Sequence, residues 1–360
     1  LSHSSSKKIS WVFRYNMSSK HICHINLAKG FHGGERQTLN LIRELKVLGV
    51  EQSLICHPKG PLRQEVEALG VNTQTVSHWL KGHGRRSPSD LMHCHCGRGV
   101  HWAALQHKLY KQPYIITRRV DNPIKTNGWA KSAYQNARLL VCVSQAVVSE
   151  VHKVNAQIKA VVIPDSFSGF EVEPDKVAKI RAGYAGKFLI GQAGKLLEHK
   201  GFRYTVAAAE RVKQQHPNAH FLILGDGPLR EELAASTKDL DNVSMLGHKE
   251  DIGNYLAALD LFVFPSVTEG LGSTILEAMQ LNIPVLATRA GGIPDLIEDG
   301  VNGRLVEPAN AEALSAAMGE LIESPQEREA YVKASGERLQ RYSPEHVAEE
   351  YMAVYEPFVR

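Results

Sequence analysis

Residues 268–279 read Thr-Glu-Gly-Leu-Gly-Ser-Thr-Ile-Leu-Glu-Ala-Met, which places Glu269 and Glu277 eight positions apart. Gly270 and Gly272 suit a turn, and the alternation of small and apolar residues after them suits a helix packed on a sheet. We therefore expect Glu269 to precede the helix and Glu277 to lie about two turns inside it. Two carboxylates beside the unpaired amides of a helix N-terminus can hold sugar hydroxyls and an anion together.

A second motif follows the predicted strand Phe188–Gly191 and reads Gly194-Lys195-Leu196-Leu197-Glu198-His199-Lys200-Gly201. Lys195 and Lys200 straddle a strand-to-helix loop, where two cations can flank a diphosphate and offset its charge as it leaves. Either lysine alone is better explained as an exposed surface side chain. Their position opposite Glu269 in the expected fold favours the binding role.

Short apolar runs alternate with helical patterns along the chain, which is typical of parallel α/β domains. In the first half the predicted strands are Ile22–Leu27, Ser53–Cys56, Tyr114–Thr117, Leu139–Val143 and Ala160–Ile163. In the second half they are Phe188–Gly191, His220–Leu224, Val243–Leu246, Leu261–Phe264, Pro284–Ala287 and Gly303–Val306. The pattern predicts two doubly wound α/β domains, with ligands bound in the cleft between the carboxyl ends of both sheets.

Four segments make up the predicted organisation. Residues 1–16 are serine-rich and basic, and we expect them to be a leader or a disordered arm. The first domain covers 17–166 and the second covers 167–342, with Asp165–Pro174 as a connector that contains Ser, Gly and Pro. The last segment, 343–360, has a helical pattern that we expect to cross back to the first domain.

Composition and charge restrict the class of protein. The chain has 360 residues and 43% hydrophobic content, so it can bury a real core, and no apolar run approaches the roughly 20 residues of a membrane span. Five cysteines, mostly within apolar runs, indicate reduced thiols and a cytoplasmic protein. The net charge of +4 hides 23 basic and 9 acidic residues in 1–166, against 19 and 29 in 167–360. A basic first half favours an anionic partner, although the basic leader and a solvated surface explain part of the excess.

The first domain carries two further motifs. Lys29-Gly30-Phe31-His32-Gly33-Gly34-Glu35 follows a predicted strand, and Gly33-Gly34 lets backbone amides approach a phosphate or sugar, with a simple tight turn as an equal alternative. The motif lacks the G-x-G-x-x-G fingerprint, which argues against a nicotinamide enzyme. If Met92-His93-Cys94-His95-Cys96 is a strand, its alternation places the histidines and cysteines on opposite faces, so the four cannot form one tetrahedral zinc site.

Six motifs in order resemble the retaining glycosyltransferases of family 4. They are Gly-Lys-Leu-Leu-Glu-His-Lys-Gly, Leu-Gly-Asp-Gly-Pro, Leu-Gly-His, Ser-Val-Thr-Glu-Gly-Leu-Gly-Ser-Thr-Ile-Leu-Glu-Ala-Met, Gly-Gly-Ile-Pro-Asp and Gly-Val-Asn-Gly-Arg-Leu-Val-Glu-Pro. The resemblance runs from about Lys20 to the end of the chain and is strongest in residues 190–310. It implies the GT-B fold, in which two Rossmann-like domains face each other across a cleft.

The resemblance also implies roles for individual residues. Lys195 and Lys200 match a basic pair on the donor diphosphate. Glu269 matches the glutamate beside the transferred sugar, and Glu277 matches the one that binds the ribose. The other implied donor contacts are the amides of Gly270, Leu271, Gly272 and Ser273 for sugar hydroxyls, Thr274 for phosphate, Gly225 and His248 for the base, and the N-terminal glycine pair Gly33 and Gly34.

One position departs from the family pattern. Many members have a histidine after the strand that corresponds to Tyr114–Thr117, whereas this chain continues with Arg118 and Arg119. Either arginine can bind an acidic acceptor or the donor phosphate through its bidentate geometry. The family's Asp-x-x-His-x-His pattern is matched by Asp90, His93 and His95, and it implies that His95 faces the cleft near the acceptor.

The resulting hypothesis is a retaining, metal-independent hexosyltransferase that uses a nucleotide-diphosphate sugar, with UDP-sugar favoured, and no cofactor. The acceptor implied by the basic first half is an anionic glycan or glycolipid, as in lipopolysaccharide or envelope polysaccharide assembly. That acceptor favours a cytoplasmic location with peripheral contact at the inner membrane. Nucleic acid is not expected, because the basic residues lack aromatic interleaving or a known motif. The alternatives are an epimerase or phosphorylase on the same fold, or a non-catalytic protein that binds nucleotide sugars.

Overall fold

The computed structural model describes residues 20–124 and 128–359. The predicted leader, 1–16, lies outside the described residues. The chain divides into two compact units, of which the first runs up to Ser168 and resumes at Tyr342, and the second is Gly169–Arg341. Each unit is built on a parallel sheet flanked by helices, which confirms the predicted fold class of two doubly wound α/β domains.

The first unit has seven strands. They are β1 (His21–Asn26), β2 (Glu51–Cys56), β3 (Asn72–Thr75), β4 (Leu91–Cys94), β5 (Tyr114–Arg118), β6 (Leu140–Cys142) and β7 (Ala160–Val162). All pair in parallel, in the order β3-β2-β1-β4-β5-β6-β7. The helices are α1 (Gly33–Val47), α2 (Leu62–Ala68), α3 (Gly97–Tyr110), α4 (Gly128–Gln135), α5 (Gln145–Val154) and, from the end of the chain, α14 (Pro344–Tyr355).

The second unit has six strands. They are β8 (Phe188–Ala193), β9 (Ala219–Leu224), β10 (Val243–Gly247), β11 (Leu261–Phe264), β12 (Val285–Thr288) and β13 (Arg304–Val306), in the parallel order β10-β9-β8-β11-β12-β13. The helices are α6 (Pro174–Gly183), α7 (Phe202–Gln215), α8 (Arg230–Ser236), α9 (Ile252–Ala257), α10 (Ser273–Gln280), α11 (Ile293–Leu296), α12 (Ala311–Glu323) and α13 (Pro325–Leu339).

The last helix completes the core of the first unit. Tyr351 and Tyr355 of α14 are buried in one hydrophobic cluster with Ile22 of β1, Leu45 of α1 and Val141 of β6. The Tyr355 hydroxyl also hydrogen-bonds a buried histidine of β4 at 2.8 Å. A segment that follows the whole second unit in sequence therefore belongs to the folded core of the first.

Strand order locates the place where each sheet can bind a ligand. In a doubly wound sheet the strand order runs outward in both directions from two neighbouring central strands. Ligands bind at the carboxyl ends of these two strands, which we call the reversal point. These strands are β1 and β4 in the first unit and β8 and β11 in the second. The loops after β8 and β11 carry the lysine motif and Glu269, while those after β1 and β4 carry Gly33-Gly34 and His95.

None of the helices in the described part of the chain has the length and apolar character that a membrane crossing requires.

We expect Tyr355→Ala to destabilise the first unit by about 3–5 kcal/mol, because it removes a fully buried aromatic ring and leaves a cavity. Urea unfolding followed by tryptophan fluorescence measures this directly, since the chain's four tryptophans all lie before residue 130 and thus report on the first unit. Ala353→Ser, at an exposed position of the same helix, is the matched control. Equal unfolding midpoints for the two variants would contradict a structural role for α14.

Candidate functional site

The loop after β8 holds Lys200 on a rigid turn. Gly201 ends a single 3-10 turn, Glu198–Lys200, with φ of 70°, and a Cβ there would overlap the carbonyl oxygen of Pro265. Gln192 donates from its side-chain amide to the carbonyl of Lys200 at 2.8 Å. The Gln192 oxygen in turn accepts from the hydroxyl of Thr205 at 2.6 Å. The backbone that carries Lys200 is therefore fixed from the strand, the following helix and the loop after β11.

Lys200 and Glu269 form an ion pair between the two loops at the reversal point of the second sheet. The Lys200 Nζ contacts Glu269 Oε2 and lies 5.3 Å from the centroid of the Phe264 ring. The two side chains are only 22% and 15% exposed, so the pair is shielded from water more than a surface ion pair. The structure thus brings together a lysine and a glutamate that were predicted from separate motifs.

Lys195 has a different environment from Lys200. Its side chain is exposed, and among the described residues it has no hydrogen-bond or ion-pair partner. The loop backbone below it is tightly packed, because a Cβ on Gly225, whose φ is 135°, would overlap the carbonyl oxygen of Gly194. Gly225 also donates its N–H to the carbonyl of Gly247 at 2.8 Å, directly before the exposed His248. The ends of β8, β9 and β10 therefore form one surface beside an uncompensated cation.

The glycine turn before α10 is positioned by its neighbours. Gly272 has φ of 94° and precedes Ser273, the first residue of the helix. Gly292 donates its N–H to the carbonyl of Glu269 at 2.9 Å, which fixes the backbone of Glu269 at the start of the turn. Glu277 is buried and is the fifth residue of α10. It lies a little more than one turn inside the helix, because only four positions separate it from Ser273, the first helical residue, so the expected depth of two turns was wrong.

In the remaining predicted donor segment, Gly270 and Leu271 are buried, while Ser273 and Thr274 are half-buried at the start of α10. The first amides of a helix lack intrahelical acceptors and favour anions. This arrangement can therefore accept a phosphate or sugar oxygen next to the Lys200–Glu269 pair.

In the first unit, Gly33 and Gly34 begin α1 after the N-cap residue His32. The backbone N–H of His32 donates to Glu35 Oε2 at 2.9 Å, which closes the first turn. No atom lies within 4 Å of a Cβ built on Gly33 or Gly34. A side chain would fit at both positions, so the packing of the fold does not explain these two glycines. The open surface lets a ligand approach the backbone closely.

The two neighbouring arginines have separate surroundings. Arg118 ends β5, is 7% exposed and donates to the Tyr134 hydroxyl and the Asn122 side-chain oxygen, both at 3.1 Å. Arg119 forms an ion pair from Nε to Asp165 Oδ1 at 2.8 Å, with side-chain exposures of 11% and 12%. Arg118 therefore points into the unit, and Arg119 lies at the carboxyl edge of the sheet with a counter-ion.

His95 belongs to a buried cluster with His24 of β1 and His93 of β4, in which one ring nitrogen from each histidine lies within 4.8 Å of the other two. Burial lowers the pKa of His24 to about 4 and the pKa of His93 and His95 well below the usual range. His93 contacts the Tyr355 hydroxyl at 2.8 Å and the Thr117 hydroxyl at 2.6 Å. These three rings are therefore neutral at pH 7.

Three residues in or near the histidine cluster and Arg119 were not predicted as site residues from the sequence: His24, Gln52 and Asp165. His24 lies between the apolar residues Cys23 and Ile25 within β1, and Asp165 directly follows Pro164, shortly after the end of β7. A polar residue inside a buried strand and an acid at a carboxyl edge are the signals that would have identified two of them. Gln52 gives no comparable signal in the sequence.

Comparison with known proteins indicates which class of enzyme the chain resembles. Residues 175–338 match the model of the family described as glycosyl transferases group 1. A lipopolysaccharide core biosynthesis glycosyltransferase, LpsE of Rhizobium meliloti, is 27% identical over 92% of this chain and 97% of its own length. A 2-deoxystreptamine N-acetyl-D-glucosaminyltransferase of Streptomyces fradiae is 26% identical over 88% of each chain.

Among solved structures, Anabaena Alr3699/HepE in complex with UDP and glucose superposes with a TM-score of 0.79, at 19% identity, over 94% of this chain and all of that chain. This likeness shows the GT-B fold. The match to the family model lies within the second unit, and the matches together support glycosyltransferase activity for the chain.

The buried histidines predict how stability depends on pH. The pKa of His24 is about 4 in the folded protein and about 6.5 in the unfolded chain. Between these pH values the unfolded chain binds a proton that the folded chain does not bind, which favours unfolding. The contribution of His24 to stability is complete above pH 6.5 and falls as the pH drops towards 4. We expect the free energy of unfolding of the first unit to decrease by about 2 kcal/mol between pH 6.5 and 5 for each such histidine.

Urea unfolding followed by tryptophan fluorescence at a series of pH values measures this slope. His24→Asn should reduce the slope, and His248→Gln, at an exposed position of the second unit, should leave it unchanged. A slope that is the same in wild type and His24→Asn would show that His24 already carries a proton in the folded protein.

Proposed function

We propose that the chain is a retaining glycosyltransferase that moves a sugar from a nucleotide-diphosphate sugar to a glycan or glycolipid acceptor. The observation that carries this proposal is the Lys200–Glu269 pair at the reversal point of the second sheet, with the exposed Lys195 in the same loop after β8. Cations, a carboxylate and helix N-terminal amides at one sheet edge match the needs of a diphosphate joined to a sugar.

Each part of the site takes one part of the donor. Lys195 and Lys200 bind the diphosphate, and the amides from Gly270 to Ser273 bind sugar hydroxyls. Thr274 contributes its amide to phosphate binding. The ribose lies at Glu277, and the base lies on the surface formed by Gly225 and His248. Uridine is the favoured base, since the structurally similar Anabaena protein was solved with UDP and glucose.

Transfer in this site proceeds on one face of the sugar. The bond between the anomeric carbon and the diphosphate oxygen breaks, and both electrons leave with the nucleoside diphosphate. The lysines offset the charge that develops on the leaving oxygens, while Glu269 offsets the positive charge on the sugar ring. The acceptor hydroxyl bonds to the anomeric carbon, and its proton passes to an oxygen of the leaving phosphate. The site needs neither a metal ion nor a cofactor for this step.

A glycosidase-like pair of carboxylates fits the site less well. Glu269 Oε2 contacts the ammonium of Lys200, and Glu277 is buried within α10. Two carboxylates that work as acid and base must both face the reacting bond. The different surroundings of the two glutamates favour separate roles on the sugar and on the ribose.

Lys200→Ala should lower kcat by about 10²–10³, because it removes one preorganised charge from the leaving group. Glu269→Gln should also lower kcat, since it keeps the size of the side chain and removes its charge. The assay follows sugar transfer from UDP-glucose to a deacylated lipopolysaccharide core oligosaccharide by mass spectrometry. Lys238→Ala, an exposed lysine of the same unit, should retain full activity.

If neither Lys200→Ala nor Glu269→Gln changes the product yield, this mechanism is wrong. An epimerase would convert UDP-glucose without an acceptor, and a phosphorylase would need phosphate to release the sugar. A pure binding protein would bind UDP-glucose in calorimetry and form no product.

For the acceptor, the first unit offers a basic surface. Within residues 77–86, Lys81, Arg85 and Arg86 are exposed cations without an acidic neighbour in that segment, and Leu80 is 57% exposed between them and Trp79. A hydrogen bond attaches the segment to α3: the Trp102 indole N–H donates to the carbonyl of Lys81 at 2.9 Å. Exposed cations beside an apolar side chain suit the surface of an anionic membrane.

We therefore propose a cytoplasmic enzyme that contacts the inner face of the membrane and glycosylates an anionic glycan or glycolipid. The relatives in lipopolysaccharide core biosynthesis support this acceptor class.

The membrane proposal predicts that the wild type cosediments with vesicles of phosphatidylglycerol and phosphatidylcholine but not with phosphatidylcholine alone. Reversal of the charges of Lys81, Arg85 and Arg86 to glutamate should reduce the bound fraction at least about tenfold, given roughly 1 kcal/mol for each cation near the surface. The control reverses Lys179, Lys187 and Lys238, exposed lysines of the second unit, and changes the net charge equally. Equal losses in the two triple variants would show that net charge, not this surface, controls binding.

A further inference from the structure

A chain of buried polar side chains runs from α1 through the first sheet to Arg119. The Gln52 side-chain amide donates to the carbonyl of Ile42 at 3.1 Å, and the Gln52 oxygen lies 3.0 Å from His24 Nε2. His24 Nδ1 lies 2.9 Å from His95 Nε2. His95 Nδ1 lies 3.5 Å from Nη1 of Arg119.

The main-chain carbonyl of Ile42 sets the direction of every bond in this chain. A carbonyl only accepts, so the Gln52 nitrogen faces it and the Gln52 oxygen faces His24. His24 Nε2 must then carry the proton, which leaves Nδ1 of the neutral ring as an acceptor. His95 Nε2 must donate to that atom, and His95 Nδ1 is left with a lone pair. The lone pair faces a guanidinium N–H, which can only donate.

Arg119 is thereby held from two sides. Its Nε donates to Asp165 and its Nη1 faces the His95 lone pair. Nη2 has no hydrogen-bond partner among the described residues, and it is not among the buried unsatisfied atoms. Arg118 differs, because both of its terminal nitrogens are engaged within the unit and its Nε is buried. Of the two arginines, Arg119 has the fixed orientation and a terminal nitrogen without a partner among the described residues, on a side chain that is 11% exposed.

This donor lies where a doubly wound sheet binds its ligand. Arg119 follows β5, His95 follows β4 at the reversal point, and Asp165 follows β7, so all three lie at the carboxyl edge of the first sheet. The ion pair with Asp165 cancels the net charge of the guanidinium. Nη2 is therefore suited to direct a hydrogen bond to one oxygen, and not to attract anions over a distance.

We propose that Arg119 Nη2 binds an oxygen of the acceptor and that His24 is a positioning residue, which acts through the proton on His95 Nε2. This assignment rests on the proposed glycosyl transfer and gives the acceptor a residue on the first unit. It also distinguishes the two neighbouring arginines: Arg119 binds the acceptor, and Arg118 is bonded within the first unit. His95 contacts the acceptor site through Arg119, since both of its ring nitrogens are engaged.

Transfer kinetics test the positioning role. With UDP-glucose and deacylated lipopolysaccharide core oligosaccharide as substrates, His24→Phe should raise the KM for the oligosaccharide about tenfold, as expected for one misplaced charged hydrogen bond. The KM for UDP-glucose should not change. Arg119→Lys should show the same selective rise. An assay with dephosphorylated oligosaccharide identifies the bound oxygen, since a rise in KM only with the phosphorylated form assigns it to phosphate and an equal rise assigns it to a hydroxyl.

His93→Phe is the matched control. His93 lies on the same face and is equally buried, but its ring nitrogens contact Tyr355 and Thr117 and are not part of the chain. It should lower stability and leave the oligosaccharide KM of the folded fraction unchanged. Equal KM effects of His24→Phe and His93→Phe would overturn the positioning role and leave only a structural one.

A second measurement does not depend on activity. Nitrogen-15 spectra of histidine-labelled protein, assigned with the His24 and His95 variants, should show both rings as neutral Nε2–H tautomers. An Nδ1–H tautomer at either ring would overturn the deduced polarity. If wild type transfers no sugar while both tautomers are as deduced, the proposed function fails and the hydrogen-bond chain stands.

Discussion

The ion pair between Lys200 and Glu269 is the interaction on which the candidate donor site depends. It joins the loops after the two strands where the second sheet reverses its winding, and it is more shielded than a surface pair. The turn at Gly201 and the bond from Gln192 hold the lysine, while Gly292 holds the backbone of the glutamate. A charge that is fixed before the ligand arrives needs little reorganisation during reaction, which is the physical basis of electrostatic catalysis.

The first unit uses a different kind of constraint. Three neutral histidines and a glutamine are buried there, where each unsatisfied polar atom would cost stability. The hydrogen bonds of Gln52, His24 and His95 run in one fixed direction from a main-chain carbonyl to the guanidinium of Arg119. The two units therefore present charged groups at the carboxyl edges of their sheets by different means, a compact ion pair in one and a directional chain in the other.

Much of the fold follows from local sequence patterns. The apolar run Leu261–Phe264 coincides with β11, and Asn282 adopts the left-handed conformation that asparagine tolerates, with φ of 59°. The strand Asn72–Thr75 was missed because it is an exposed polar strand at the sheet edge, where no apolar pattern is needed. Helix α13 has no clear apolar stripe either, since only Tyr331 and Ser335 of its residues are buried. The loops that carry Lys200 and Glu269 were predictable because each follows a short apolar run and has glycine at its turn. The chain through Gln52, His24 and Arg119 was not, because its members come from different strands and only the folded sheet makes them neighbours.

The stereochemistry of the transferred sugar tests the central claim most directly. In UDP-glucose the glucose is bonded to the diphosphate in the α configuration, and front-face departure and attack preserve that configuration. Proton NMR of the product during the first turnovers, read from the anomeric coupling constant, should show an α-linked glucose and free UDP. A β-linked product would contradict the retaining mechanism proposed for the Lys200–Glu269 site.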